Sequence, residues 1–242
     1  MTLSQSSEAE YKTLPEAALH LGSREFIPDH SGALYWREEE TLIFSDLHLE
    51  KGSSLARRSS LLPPFDSDHS LERLKTAIAR YSPHCVILLG DSFHDIQGLR
   101  TISEANRRTL NLLQQGRDWI WINGNHDPEI PAEFGGEVHG QLTLGNIDFR
   151  HEPQQVIERF EVSGHLHPVA IVARKGRRLR RRCFIANNQR IVMPAFGAYT
   201  GGLSIQDSAF QPYFANAEVE IRILGRDQVY PVRSRDLAAE NL

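Results

Sequence analysis

Residues 85–95 read Cys-Val-Ile-Leu-Leu-Gly-Asp-Ser-Phe-His-Asp: a continuous apolar run, a glycine, then a group of polar side chains. Such a run, closed by Gly90, predicts a short strand buried on both faces, with Asp91 just past its carboxyl end. The same phrase occurs on either side. Leu42-Ile43-Phe44 leads into Ser45-Asp46-Leu47-His48, and Trp119-Ile-Trp-Ile leads into Gly124-Asn125-His126-Asp127. Between these strands, Ser67 and Asp68 are placed to cap a helix whose Leu71, Leu74 and Ile78 form one apolar stripe. A second helix is expected over about Ser103 to Gln115. This strand–helix rhythm predicts parallel strands in the first half of the chain.

Further out, Gly32 to Arg37, an acidic turn at Glu38 to Glu40 and the run from Leu42 read as a hairpin. After Pro128 the pattern changes to strands joined by short turns, around Val138 to Leu144, Ile147 to Arg150, Val169 to Arg174, Leu179 to Ala186, Arg190 to Met193 and Glu218 to Leu224. An α/β half followed by a mainly antiparallel half predicts a four-layer αββα sandwich: two mixed β-sheets packed face to face and flanked by helices. The expected organisation is an N-terminal tail (1–26), a single domain (27–235) and a C-terminal tail (236–242).

The composition fits a globular chain, with 40% hydrophobic and 24% charged residues among 242. The formal charge of −4 conceals a basic segment, since Arg174 to Arg182 reads RKGRRLRRR. Cys85 and Cys183 are the only cysteines and stand far apart, which indicates neither a disulfide framework nor a thiolate metal site. The N-terminus lacks the charged and apolar regions of a secretory signal, and no apolar run reaches the ~20 residues of a membrane span. These features point to a cytoplasmic protein without a membrane partner.

Two further polar clusters, His151 and Gly164-His165-Leu166-His167, complete a set of five. Ligands in open α/β sheets bind beyond the carboxyl ends of the strands, so side chains placed there can converge. Carboxylates supply charge and can bridge two cations, neutral imidazoles supply nitrogen, and an Asn carbonyl coordinates without adding charge. A carboxylate bridging cations ~3.5–4 Å apart suits metal-assisted cleavage of a phosphate ester.

The order D-x-H, G-D, G-N-H-D, His, G-H-x-H, from Asp46 to His167, resembles the calcineurin-like metallophosphoesterase superfamily. That resemblance implies that Asp46, His48, Asp91 and His167 hold one metal, and that Asp91, Asn125, His151 and His165 hold the other, with Asp91 as the bridge. His139 is a second candidate for the place given to His151. His126 matches the histidine that contacts the scissile phosphate and can protonate the leaving oxygen. A narrower resemblance covers roughly Gly32 to Pro231. The phrases GALYWREEETLIFSDLHLEKG, LGDSFHD, RDWIWINGNHDP, FRHEP, GHLHP, RRRCF and MPAFGAYTGGL are similar to those of the bacterial DNA-ligase-associated metallophosphoesterases, a family of DNA damage-response endonucleases. Many phosphatases of the superfamily carry an Asp three residues after the bridging Asp. Here that position is His94, as in the double-strand-break repair nucleases. His94 is thus a candidate to contact substrate or orient His126, or else supports the metal loop.

The resemblance implies a two-metal-dependent phosphodiesterase, a DNA endonuclease of DNA repair with a metal-bridging hydroxide as nucleophile. DNA is the expected substrate, and a DNA ligase and other repair proteins are the implied partners. Two divalent ions are expected; the mixed oxygen and nitrogen shell favours Mn²⁺, with iron or zinc the alternative in one position. A phosphomonoesterase or small-molecule phosphodiesterase would use the same centre, and a non-catalytic metal-binding scaffold is the reading from another class. Arg178, Arg180 and Arg182 alternate and so share one face of a strand that begins shortly after His167. They read either as a path for a DNA backbone or as a solvated surface. Asp95 and Asp127 read as turn caps or partners of imidazoles, and Gly197 to Gly202 as a close backbone approach or a bend.

Overall fold

The structure is a computed structural model that describes residues 17–57, 65–174, 177–215 and 217–238. Residues 1–16 and 239–242 of the expected tails, and Lys175 and Gly176 at the turn of the basic hairpin, lie outside the described residues. The first sheet contains β1 (Leu19–Leu21), β2 (Arg24–Pro28), β3 (Leu34–Trp36), β4 (Thr41–Phe44), β5 (Cys85–Leu89), β6 (Asp118–Ile122) and β7 (Glu137–His139), side by side in sequence order. Pairing is antiparallel from β1 to β4 and parallel from β4 to β7. The hairpin and the parallel strands are as the sequence predicts. Leu19–Leu21 and Arg24–Pro28 form an edge hairpin where a tail is expected, because Leu19, Leu21 and Phe26 are fully buried against the core.

The second sheet comprises β8 (Leu142–Leu144), β9 (Ile147–Arg150), β10 (Phe160–Ser163), β11 (Pro168–Arg174), β12 (Arg177–Ala186), β13 (Arg190–Val192), β14 (Leu203–Ser204), β15 (Glu220–Leu224) and β16 (Val229–Val232). It is more mixed than expected: β9 and β13 flank β10 in parallel, and β14 runs parallel to β11. The long β12 pairs with β11 over its arginines, then with β13 and β15 over Cys183 to Ala186.

Two apolar layers position the site. Helices α1 (Lys51–Arg57), α2 (Asp66–Tyr81), α3 (Ile96–Thr101) and α4 (Glu104–Gln114) belong to the first half. Leu71, Leu74 and Ile78 of α2 and Leu110 and Leu113 of α4 pack on Phe44, Val86, Leu88 and Trp121. The alternate residues Ile43, Ile87, Leu89, Ile120 and Ile122 face Phe149, Val162, Phe184 and Ile191 of the second sheet. Each such large side chain, fully withdrawn from water, contributes about 1.5–3 kcal/mol. The fourth layer is thin: over the second sheet, Phe210 and Phe214 of a short segment ending in α5 (Gln211–Phe214) cover Leu166, Ile185 and Val192. Helix α4 falls where a second helix is expected, and Ser103 caps it by accepting from Asn106 N–H. Helix α2 begins at Asp66 after Phe65, two residues before the place that Ser67 as cap would give it. Ser67 lies within its first turn, where its hydroxyl is taken by Glu50. Both cysteines are buried and unbridged, and no described helix is long and apolar enough to cross a membrane.

Candidate metal centre

Every ligand candidate except His139 stands just beyond the carboxyl end of a strand that pairs in parallel with a neighbour. Asp46 and His48 follow β4, Asp91 follows β5, Asn125 and His126 follow β6, His151 follows β9, and His165 and His167 follow β10. The two sheets bring these ends together. The loops after β4 and β5 are laced by their backbones: His48 N–H donates to Asp91 O at 2.8 Å, Leu49 N–H to Ser92 O at 2.9 Å, and His94 N–H to Leu49 O at 2.9 Å.

Side-chain atoms gather into two groups, each with ligand atoms within 4.8 Å of one another: Asp46, His48 and His167, and Asp91, His151 and His165. In the first, Asp46 Oδ1 stands 3.0 Å from His167 Nε2, which is 3.4 Å from His48 Nε2. In the second, His151 Nε2 lies 3.4 Å from Asp91 Oδ2, 3.1 Å from His165 Nδ1 and 2.9 Å from Asn125 Oδ1. Asp91 joins the two, since its Oδ2 is also 3.8 Å from His48 Nε2. His139 is elsewhere, at the end of the edge strand β7 beside Glu137.

The backbone carries strain here. Asp46, His48, Asp91, His165 and His167 all adopt left-handed φ values, between 45° and 67°. For residues with a Cβ this conformation costs on the order of 1–3 kcal/mol each and persists only where the surroundings enforce it. Glycines allow the crowding. A Cβ on Gly164 would fall 1.7 Å from Ser45 Oγ, and one on Gly124 would fall 2.2 Å from Asp91 N.

Orienting hydrogen bonds surround the groups. Ser45 Oγ donates to Asp46 Oδ2, which also accepts from His165 N–H at 3.0 Å. His151 Nδ1 lies 2.9 Å from Leu89 O, which turns its Nε2 toward Asp91. Asp127 is fully buried and accepts from Asp91 N–H, Phe93 N–H and Gly124 N–H, tying the β5 loop to the β6 loop. Burial pushes its carboxyl up to about 7 in spite of those donors. Burial likewise takes His48 down to about 3, leaving the neutral imidazole that ligates metals. His151 goes the other way: burial opposes its charge, but Asp91 and Asp46 raise it to about 9. Asp46, although buried, is held far below the usual carboxylate range by His167, His151 and His48.

A family model described as calcineurin-like phosphoesterase matches residues 40–179, more than half the chain and all five clusters. The chain belongs to the calcineurin-like phosphoesterase family. Among solved structures, the nuclease MPE of Pseudomonas putida aligns at 25% identity and a TM-score of 0.70, covering 89% of this chain and 98% of that one. The phosphoesterase Yfce of E. coli aligns over 82% of this chain and 96% of its own at 13% identity and a TM-score of 0.39. A comparison with curated protein sequences gives no match. The protein is a metal-dependent phosphoesterase, and its residues fit divalent cations. Asp46 Oδ1 is buried and accepts no regular hydrogen bond among the described residues, and the two groups offer carboxylate oxygen and imidazole nitrogen.

In this phosphoesterase His126 is the exposed histidine of the cluster. Its side chain is 41% exposed, its Nε2 lies 3.9 Å from Asp91 Oδ2, and its N–H donates to Asp91 Oδ1 at 2.9 Å. The His94 ring stacks on it at 5.3 Å and 20°. Asp95 is the cap of α3, accepting from Gly98 N–H and Ser54 Oγ–H. The three arginines part company. Arg178 is exposed. Arg180 is also exposed and donates to Gly202 O. Arg182 turns inward and donates to the carbonyls of Ala195 and Gly197 at 3.0 and 2.7 Å and to Thr200 Oγ1 at 3.0 Å. That loop in turn holds the metal strand end, since Phe196 N–H and Gly197 N–H donate to Ser45 O and Asp46 O. Gly197 serves this approach: a Cβ there would meet Leu47 O at 2.1 Å. Arg73 completes the brace by donating to Phe196 O at 2.7 Å. Nothing in the one-dimensional pattern marks Arg73 or Asp127 for these tasks, because both act on backbone groups that are distant in sequence.

Proposed function

We propose that the chain is a two-metal phosphodiesterase that cleaves DNA. The observation that carries the reading is the pair of ligand groups meeting at Asp91; likeness to a nuclease over most of both chains supports a nucleic-acid substrate, and the sequence resemblance favours DNA. Asp46, His48, Asp91 and His167 would hold one cation, and Asp91, Asn125, His151 and His165 the other, with Mn²⁺ preferred by the mixed donor set and iron or zinc the alternative in one position. When bound, the cations activate water and neutralise phosphoryl charge.

The chain's own residues do the rest. Asp91 draws both groups to one point, and Asp127 fixes the Asp91 loop by its backbone. Exposed His126 contacts the phosphate and hands a proton from its ring to the leaving oxygen, with the stacked His94 setting its plane. Exposed Arg178 and Arg180 suit a polyanionic backbone, while Arg182 braces the loop that binds the Asp46 backbone. A role in DNA repair beside a DNA ligase accords with the sequence resemblance. Plasmid nicking with Mn²⁺, run beside p-nitrophenyl phosphate and bis(p-nitrophenyl) phosphate, tests the reading. Nicking with diester turnover is expected; turnover of the monoester alone would overturn it in favour of a phosphomonoesterase.

A further inference from the structure

A cavity of about 500 Å³ is formed by the start of α3 and the segment 128–133. Its floor is apolar: Leu99 and Ile130 are buried, and Pro128 and Pro131 line the wall. At its mouth Ile96 is 54% exposed, a large apolar side chain standing in water. Arg100 and Glu129 supply polar groups at the lining. The volume lies in the range of small-molecule sites, about 300–1,000 Å³. A smaller cavity, about 280 Å³, is lined by the ligand candidates Asn125 and His151 with Asn123, Gln141, Arg150 and Gln154, and offers no apolar floor.

The placement of the larger cavity ties it to the reaction. Ile96 comes two residues after His94, and Pro128 two residues after His126, the rings that stack at the open side of the centre. Two residues of chain reach about 7 Å at most, within the span of a nucleoside attached to a phosphate at His126. A flat, largely apolar group with edge donors and acceptors matches aliphatic and proline faces beside a guanidinium and a carboxylate; a carboxylate accepts from the exocyclic amine of cytosine, for example. We infer that the Ile96–Pro131 cavity seats the nucleobase on the leaving-oxygen side of the cleaved bond. This rests on the reading of the chain as a DNA-cleaving phosphodiesterase.

The test uses the full chain with Mn²⁺ and a single-stranded oligonucleotide cut at a mapped bond. An abasic tetrahydrofuran residue is placed on the leaving-oxygen side or on the opposite side of that bond. The leaving-side lesion should lower kcat/KM about five- to a hundredfold, the range carried by base-stacking contacts, and the opposite lesion far less. Ile96→Asp and the neutral Ile96→Gln should lose activity on the intact strand, yet cut the leaving-side abasic strand as the wild type does, because base and side chain act as one pair. Equal cutting of all three strands by the wild type, or wild-type cutting of the intact strand by both variants, overturns the inference while leaving DNA cleavage in place. If the wild type hydrolyses bis(p-nitrophenyl) phosphate but cuts no DNA, the proposed function falls and the cavity assignment with it.

Discussion

The metal centre, drawn from both sheets, and the basic hairpin, which begins directly after His167, are built in opposite ways. The loops that carry Asp46, Asp91 and His165 are buried or half-buried, strained at φ and held by several hydrogen bonds each. On the hairpin, Arg178 and Arg180 are exposed. Arg182 belongs to the first construction although its sequence places it in the second: burial and the nearby Arg73 lower its guanidinium to about 10, so it stays cationic at neutral pH, and its donors are taken by the 195–200 loop. A row of like residues on one strand therefore need not do one job. The difference is burial, which alternation does not encode.

The comparison breaks most easily at the centre. Asp91→Asn removes the charge shared by the two groups and should abolish turnover of bis(p-nitrophenyl) phosphate; retention of even a tenth of the wild-type rate would speak against a shared ligand. His126→Ala is expected to keep its metal and lose about 10²–10⁴-fold in rate, with a smaller loss for nitrophenyl than for unactivated esters. An equal loss on both would make His126 a phosphate contact and not the proton donor.

The next two changes separate Arg182 from its neighbours. Arg182→Ala strips carbonyls of a charged donor and should cost about 1.5–3 kcal/mol in denaturant unfolding, with reduced metal retention. Unfolding at the wild-type midpoint would return Arg182 to the solvated face. Replacing Arg178 and Arg180 together should leave stability and small-diester turnover intact. It should flatten the log–log salt dependence of DNA binding by about 0.7–0.9 per lost phosphate contact. An unchanged slope would mean that the hairpin does not touch DNA.

Much of this was legible in the sequence because the signals were local. Three apolar runs ending in polar clusters located the parallel strands, and the order of the clusters placed the ligand candidates at one end of the sheets. The hidden parts depend on distant neighbours. Helix α1 contains Gly52, Ser53 and Ser54, which carry little helical preference. The edge strand at Leu19–Leu21 is too short to announce itself, and its two leucines are explained only by the core they enter. Asp127 reads as a turn residue until its three backbone donors are seen, and Ser67 reads as a cap until Glu50 is found against it.

The central claim is that Asp91 serves two cations at once. Manganese bound per chain, measured by elemental analysis after equilibrium dialysis of the wild type, Asp46→Ala and Asp91→Ala, tests it most directly. The account predicts two ions in the wild type, loss falling mainly on one in Asp46→Ala, and loss at both in Asp91→Ala. Two ions retained in Asp91→Ala would contradict it.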